Sequence, residues 1–137
     1  MCGLLGVHNF DSFSKNNLVN ALSLLKHRGN DSSKIKYIEN INMFLGFQRL
    51  AIQDLSENGN QPMSDLDNKV HILFNGEVYN FKDLKFELKN EGQKFFNESD
   101  TEVILVGYKH WGIKKLLNKI QGMFSFSILD EKKKKFF

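Results

Sequence analysis

Cys2 is the one cysteine in a chain of 137 residues, and only Met1 precedes it. Removal of an initiator methionine requires a small second residue, which cysteine is. Cleavage would leave a thiol and a free α-amino group on the same residue. A thiol of ordinary pKa, roughly 8.5, is only a few per cent thiolate at neutral pH. An α-amino group titrates near ~8, so it is partly neutral there and can take the thiol proton. Nucleophile and base would then share one residue, as they do where threonine is paired with an N-terminal amine. On this stretch alone the plainer reading is an unreactive cysteine beside a start methionine, so the rest of the chain decides.

Three further places carry polar groups in positions that need explaining. Arg49 shares the parity of Met43, Leu45 and Phe47 in a strand predicted from Met43 to Ile52. A charge among apolar neighbours needs a partner or a bound anion. Val70 to Phe74 is an apolar strand that ends at Asn75-Gly76-Glu77. Asn-Gly between apolar runs is first a hairpin signal, yet Val78-Tyr79 is short for a return strand. Asp100 stands in Ser99-Asp100-Thr101-Glu102, a capping box opening a helix. Read singly, Arg49 is a rim charge, Asn75-Gly76 a turn and Asp100 a cap residue. His8, His71 and His110 have no ligand-like spacing, so no metal site is expected.

The elements that would position these residues follow from periodicity. Cys2 to Val7 reads as a short strand, and Leu18, Leu22 and Leu25 mark a helix ending at His27-Arg28-Gly29, with the glycine at C′. Asn30 to Ser33 is a turn and Ile35 to Glu39 a strand. Ser56 to Asp67 is a polar loop containing Gly59-Asn60-Gln61-Pro62-Met63. Asn80 caps a helix over Leu84 and Leu88, and the helix opened by Ser99 ends at Trp111-Gly112. Ile113 to Ile120 is a further short helix, Met123 to Leu129 an alternating strand, and Lys132 to Phe137 the start of another, which stops at the chain end. The order predicts an α+β fold with mainly antiparallel sheets and helices in separate layers.

Composition narrows the function class. A hydrophobic fraction of 41%, with 13 phenylalanines, suffices for one domain or most of one. A single cysteine excludes an internal disulfide, which suits the cytoplasm. No stretch approaches the ~20 apolar residues of a membrane span, and the N-terminus lacks the features of a secretory signal. The net charge of +3 comes largely from Lys132 to Lys135, so no basic footprint for nucleic acid exists. No phosphate-cradling glycine loop is present.

Met1-Cys2-Gly3 with Gly6, His27-Arg28-Gly29, Arg49-Leu50-Ala51-Ile52, Gly59 to Met63, Asn75-Gly76-Glu77-Val78-Tyr79-Asn80, Ser99 to Leu105 and Gln121 to Phe126 follow one another in a single order. Together they resemble the glutaminase domain of glutamine-hydrolysing asparagine synthetase, a class II glutamine amidotransferase, over residues 1 to about 135. The resemblance implies an N-terminal-nucleophile hydrolase fold, a four-layer αββα sandwich, here as residues 1–137 of a domain cut short at its C-terminus.

It also implies a reaction. Cys2 attacks the side-chain amide of L-glutamine, ammonia leaves, and water releases glutamate from a thioester. By the same resemblance Asn75 and Gly76 form the oxyanion hole, Arg49 meets the substrate carboxylate, and Asp100, with Glu77 close by, meets its ammonium. Leu50, Ala51, Ile52 and Gln53 line the pocket. No cofactor is expected in these residues. ATP and Mg would serve only a synthetase domain that is absent here and would act in cis or on a partner chain, and the longer protein has room to form a homodimer. Two alternatives stay open: another class II amidotransferase, feeding ammonia to a sugar, a nucleotide precursor or a surface polysaccharide, and an inactive remnant. Asn30 stands where the family usually has proline; both suit a turn.

Overall fold

A computed structural model describes residues 2–51 and 57–137. In chain order the elements are β1 (Gly3–His8), α1 (Lys15–Ser23), β2 (Ser32–Ile38), β3 (Met43–Arg49), β4 (Met63–Ser64), β5 (Val70–Val78), α2 (Phe81–Asn90), α3 (Asp100–Trp111), α4 (Ile113–Lys119), β6 (Gly122–Asp130) and β7 (Lys135–Phe136). Short 3-10 turns fill several of the connections. The strands form two antiparallel sheets, ordered β1-β3-β2 and β4-β5-β6-β7.

Strand alternation sorts the side chains into layers. On β3, Phe44 points outward to meet Phe10 and Leu18 of the α1 side, with Leu5, Val7 and Tyr37 beside them. Met43, Leu45 and Phe47 point the other way and pack against Leu73 of β5 and Leu129 of β6, with Leu4 and Cys2 at the margin. Val70, Ile72, Phe74 and Ile128 take the far face of the second sheet, under Leu84, Leu88, Val103, Ile104, Tyr108 and Leu116 of α2–α4. The layers are therefore helix, sheet, sheet, helices.

Local signals behave as expected in places. Ser14 accepts a hydrogen bond from the Asn17 N–H at 3.1 Å and starts α1. Ser99 accepts one from the Glu102 N–H at 3.2 Å and starts α3. The capping box is not reciprocal, however. The Glu102 carboxylate turns to the N–H groups of Phe96 and Asn97, both at 2.9 Å, and the Ser99 N–H goes to Asn97 instead.

Other predictions need correction. The first helix ends at Ser23, and Gly29 has φ −167°, an extended conformation and not a left-handed C′ cap. Glycine is required there for closeness: a Cβ would stand 2.4 Å from the carbonyl carbon of Arg49. Asn75-Gly76 does not end its strand. β5 runs on to Val78, with Asn75 opposite Ser125 and Gly76 opposite Phe124. Beyond Lys132 the strand is confined to Lys135–Phe136, against β6, and Phe137 exchanges both backbone hydrogen bonds with Ile128.

Candidate active site

The strand parity that makes the inter-sheet core also builds the polar end of it. Arg49 continues the row Met43, Leu45, Phe47 on β3, and Asn75 continues the row from Leu73 on β5. Cys2 lies one step beyond Leu4 on β1 by the same alternation. All three sit where the apolar filling between the sheets gives out, around a cavity of about 280 Å³.

The Cys2 backbone N–H donates to Asn75 Oδ1 at 2.7 Å. Because an N–H can only donate, the amide oxygen faces Cys2, and Asn75 Nδ2 is left as the donor group of that side chain. Around the sulfur, the Leu50 N–H donates to Cys2 Sγ at 3.4 Å and Sγ lies 3.6 Å from Leu50 O. The Cys2 carbonyl accepts from Arg28 Nε at 3.2 Å. The chain leaving β3 is held from the turn before β2: the Asp31 N–H donates to Arg49 O at 3.0 Å, and Asp31 Oδ2 accepts the Ala51 N–H at 2.7 Å.

Gly76 has φ +150°, which disfavours side chains, and a Cβ there would fall 2.3 Å from Met123 O. No other residue fits where β5 passes β6 at the cavity wall. Asp100, the first residue of α3, is only 6% exposed and accepts the Val78 N–H at 3.0 Å. Burial pushes its carboxyl above the usual range and Glu77 adds to this; the Val78 and Thr101 N–H groups pull against it without winning. A buried carboxylate so placed gains from a cation brought next to it. Arg49, buried to 7% exposure, donates from Nη1 to Asn60 Oδ1 at 3.1 Å.

Of the residues predicted from sequence, Cys2, Arg49, Leu50, Ala51, Asn75, Gly76, Glu77 and Asp100 all line this one cavity. Ile52 and Gln53 lie outside the described residues. Sequence reasoning did not single out Gln61, Tyr79 and Met123, which line it too, nor Asp31 and Asn60 behind it. Gln61 and Asn60 fall in the Gly59–Met63 motif, so a signal existed without a role attached. Lys26, His27 and Arg28 flank a neighbouring depression of about 420 Å³.

A second polar cluster occupies the opposite end of β5. His71 is buried, with Nδ1 2.8 Å from Ser64 Oγ and Nε2 2.7 Å from Glu131 Oε1. Lys36 of β2 donates to Ser64 Oγ at 2.8 Å, and Asn40 to Glu131 at 2.7 Å, so the cluster ties one sheet to the other. Burial lowers the His71 pKa, against the pull of Glu131, with Lys36 lowering it further. Among the described residues no group of His, Cys, Asp and Glu could hold a metal ion, and no helix is long and apolar enough to cross a membrane.

Comparison with known proteins agrees on one family. The glutamine amidotransferase domain matches residues 1–137. Asparagine synthetase [glutamine-hydrolyzing] 1 of Bacillus subtilis is 39% identical over 133 residues, covering 93% of this chain and 20% of that protein. Asparagine synthetase [glutamine-hydrolyzing] 2 of Oryza sativa subsp. japonica is 37% identical over 139 residues, covering 99% and 22%. The chain thus spans about a fifth of the length of these relatives. Among solved structures, the B. subtilis glutamine phosphoribosylpyrophosphate amidotransferase superposes with a TM-score of 0.69 at 22% identity, over 95% of this chain and 35% of that one. At that identity the likeness speaks for the fold, two antiparallel sheets between helical layers.

Proposed function

The chain belongs to the glutamine amidotransferase domain family, and from that premise we propose that it hydrolyses L-glutamine to glutamate and ammonia with Cys2 as nucleophile. The observation carrying the proposal is the convergence of Cys2, Arg49, Asn75, Gly76 and Asp100 on one cavity of about 280 Å³. Loss of Met1 turns the Cys2 N–H into the α-amine, beside Asn75 Oδ1. This amine takes the thiol proton as Sγ attacks the amide carbon of glutamine. The Leu50 N–H, 3.4 Å from Sγ, is a donor for the developing thiolate.

The negative charge of the tetrahedral intermediate falls on the former amide oxygen. Asn75 Nδ2 and the Gly76 N–H are its donors, each typically contributing ~3 kcal/mol to such a transition state. Collapse breaks the carbon–nitrogen bond, the α-ammonium returns its proton to the departing nitrogen, and ammonia leaves a thioester on Sγ. A water molecule deprotonated by the same amine attacks the thioester, releasing glutamate and the thiol. Arg49 holds the substrate carboxylate by a charge-assisted contact, Asp100 with Glu77 holds its ammonium, and Leu50 and Ala51 form the wall alongside.

The ammonia acceptor lies outside these residues. The names and lengths of the relatives support transfer to an asparagine synthetase domain, in cis or on a partner chain; that this domain uses ATP and Mg to convert aspartate to asparagine is part of the proposal. The hydrolytic half is tested by ammonia release from glutamine. Wild-type chain lacking Met1 is expected to release ammonia and Cys2→Ala to fall to background; undiminished release by Cys2→Ala contradicts the proposal.

A further inference from the structure

The Gly59–Met63 motif contributes two wall residues to the cavity, Gly59 and Gln61, and its side chains bond mainly behind that wall. Asn60 Oδ1 accepts two hydrogen bonds, from Arg49 Nη1 at 3.1 Å and from Ser32 Oγ at 2.9 Å. A guanidinium can only donate, so the oxygen of the Asn60 amide must face it. Ser32 lies opposite Arg49 in the β2–β3 register, so its hydroxyl comes from the adjacent strand and fixes the same oxygen from a second side.

The next residue anchors Asn60 from below. Gln61 is buried and pairs with both backbone groups of Phe74: the Phe74 N–H donates to Oε1 at 2.6 Å, and Nε2 donates to Phe74 O at 3.2 Å. The side-chain amide so takes the place of a strand partner, one residue before Asn75. Its Nε2 also lies 3.3 Å from Thr101 Oγ1, one residue after Asp100. The pair therefore ties the loop to β5 and to the start of α3, and presents the Asn60 oxygen to Arg49 from a fixed base.

We infer that Asn60 is a positioning residue that sets recognition of the substrate α-carboxylate by Arg49. The inference rests on the reading that Arg49 meets that carboxylate. An amide oxygen suits the role because it is neutral: it orients the guanidinium without cancelling the charge the carboxylate needs. A carboxylate in its place would hold Arg49 equally well but compete with the substrate for it. Asn60 touches neither the sulfur nor the amide being cleaved, so it acts on substrate binding and leaves the chemical step alone.

Two reagents that alkylate the same sulfur separate this role from a general structural one. Diazo-oxo-norleucine carries the α-carboxylate and α-amine of glutamine; iodoacetamide carries neither. In the full chain lacking Met1, Asn60→Ala is expected to slow labelling of Cys2 by diazo-oxo-norleucine roughly tenfold, as for a lost hydrogen bond to a charged group. Labelling by iodoacetamide should not change. Asn60→Asp, which keeps an oxygen on Arg49, should also lose the carboxylate-bearing reagent selectively, and both variants should raise KM for glutamine with kcat retained. The inference is overturned if both variants label with diazo-oxo-norleucine at the wild-type rate. It is overturned equally if both reagents slow in parallel, which would mark Asn60 as structural. If the wild-type chain itself shows no preference for diazo-oxo-norleucine, the carboxylate reading of Arg49 fails, and the inference with it.

Discussion

The space between the two sheets has a polar cluster at each end, and the two ends differ in what their polar atoms face. At one end Ser64, His71 and Glu131 line up in a hydroxyl–imidazole–carboxylate series, the residue types of a hydrolytic triad. Yet that series is closed. His71 is buried, Lys36 caps the serine, Asn40 and Lys69 cap the glutamate, and the chain of hydrogen bonds joins β2 to the second sheet. At the other end Cys2, Arg49, Asn75 and Asp100 have fewer mutual bonds and surround open volume. Residue type alone would rank the first cluster higher. The free volume and the remaining donors rank the second higher, because chemistry needs groups whose partner is a substrate.

The account predicts that substitutions at the open end cost activity and those at the closed end cost stability. Asn75→Ala should lower kcat for ammonia release by ~10²–10³-fold while leaving the unfolding midpoint in denaturant nearly unchanged. A variant that unfolds early instead would erase the distinction. At the closed end, His71→Leu strips a partner from Ser64 and Glu131 and should lower unfolding free energy by ~1–3 kcal/mol, with kcat retained. Asp100→Asn should raise KM for glutamine by about tenfold or more through loss of a charge-assisted contact. It should not destabilise the fold, since burial already opposes the charged carboxyl; a large loss of stability would assign Asp100 to the core.

Acid sharpens the contrast with a smaller effect. Burial lowers the His71 pKa, so below the ordinary value near ~6.5 the unfolded chain binds a proton that the folded chain refuses. That contribution to stability is complete above ~6.5 and is lost as pH falls towards the lowered folded value. The Asp100 carboxyl is shifted upward, so between its ordinary ~3.9 and its raised value the folded chain binds the extra proton, and acidification stabilises. Denaturant unfolding as a function of pH should show the first dependence vanish in His71→Leu and the second in Asp100→Asn. The smallest expected change is Ser64→Ala, about 1 kcal/mol of stability with ammonia release unaltered.

Much of this architecture was legible in strand alternation. The parity of Arg49 with Leu45 and Phe47 set it on their face of the strand, which the fold turns towards the second sheet, and the clean alternation of Phe124, Phe126 and Ile128 located β6. Asn75-Gly76 was harder because short-range turn preference and long-range pairing compete there. Gly76 is needed for close passage of β6, not for a turn, and sequence near residue 76 does not reveal what residues 123 and 124 will do. Glu102 was misassigned for a similar reason: Phe96 and Asn97 fold back to claim a carboxylate that the capping motif assigns to Ser99. The His71–Glu131 pair spans 60 residues and the Asn60–Arg49 bond joins a loop to a strand. Neither has a periodic signature, so only the fold brings them to light.

The central claim is that Cys2 is N-terminal and is the residue that reacts. Intact mass spectrometry of the purified chain, before and after treatment with diazo-oxo-norleucine, tests it in one experiment. The account predicts a mass lacking Met1 and a single adduct, which peptide mapping places on Cys2. A chain that releases ammonia while retaining Met1, or an adduct on any other residue, would contradict it.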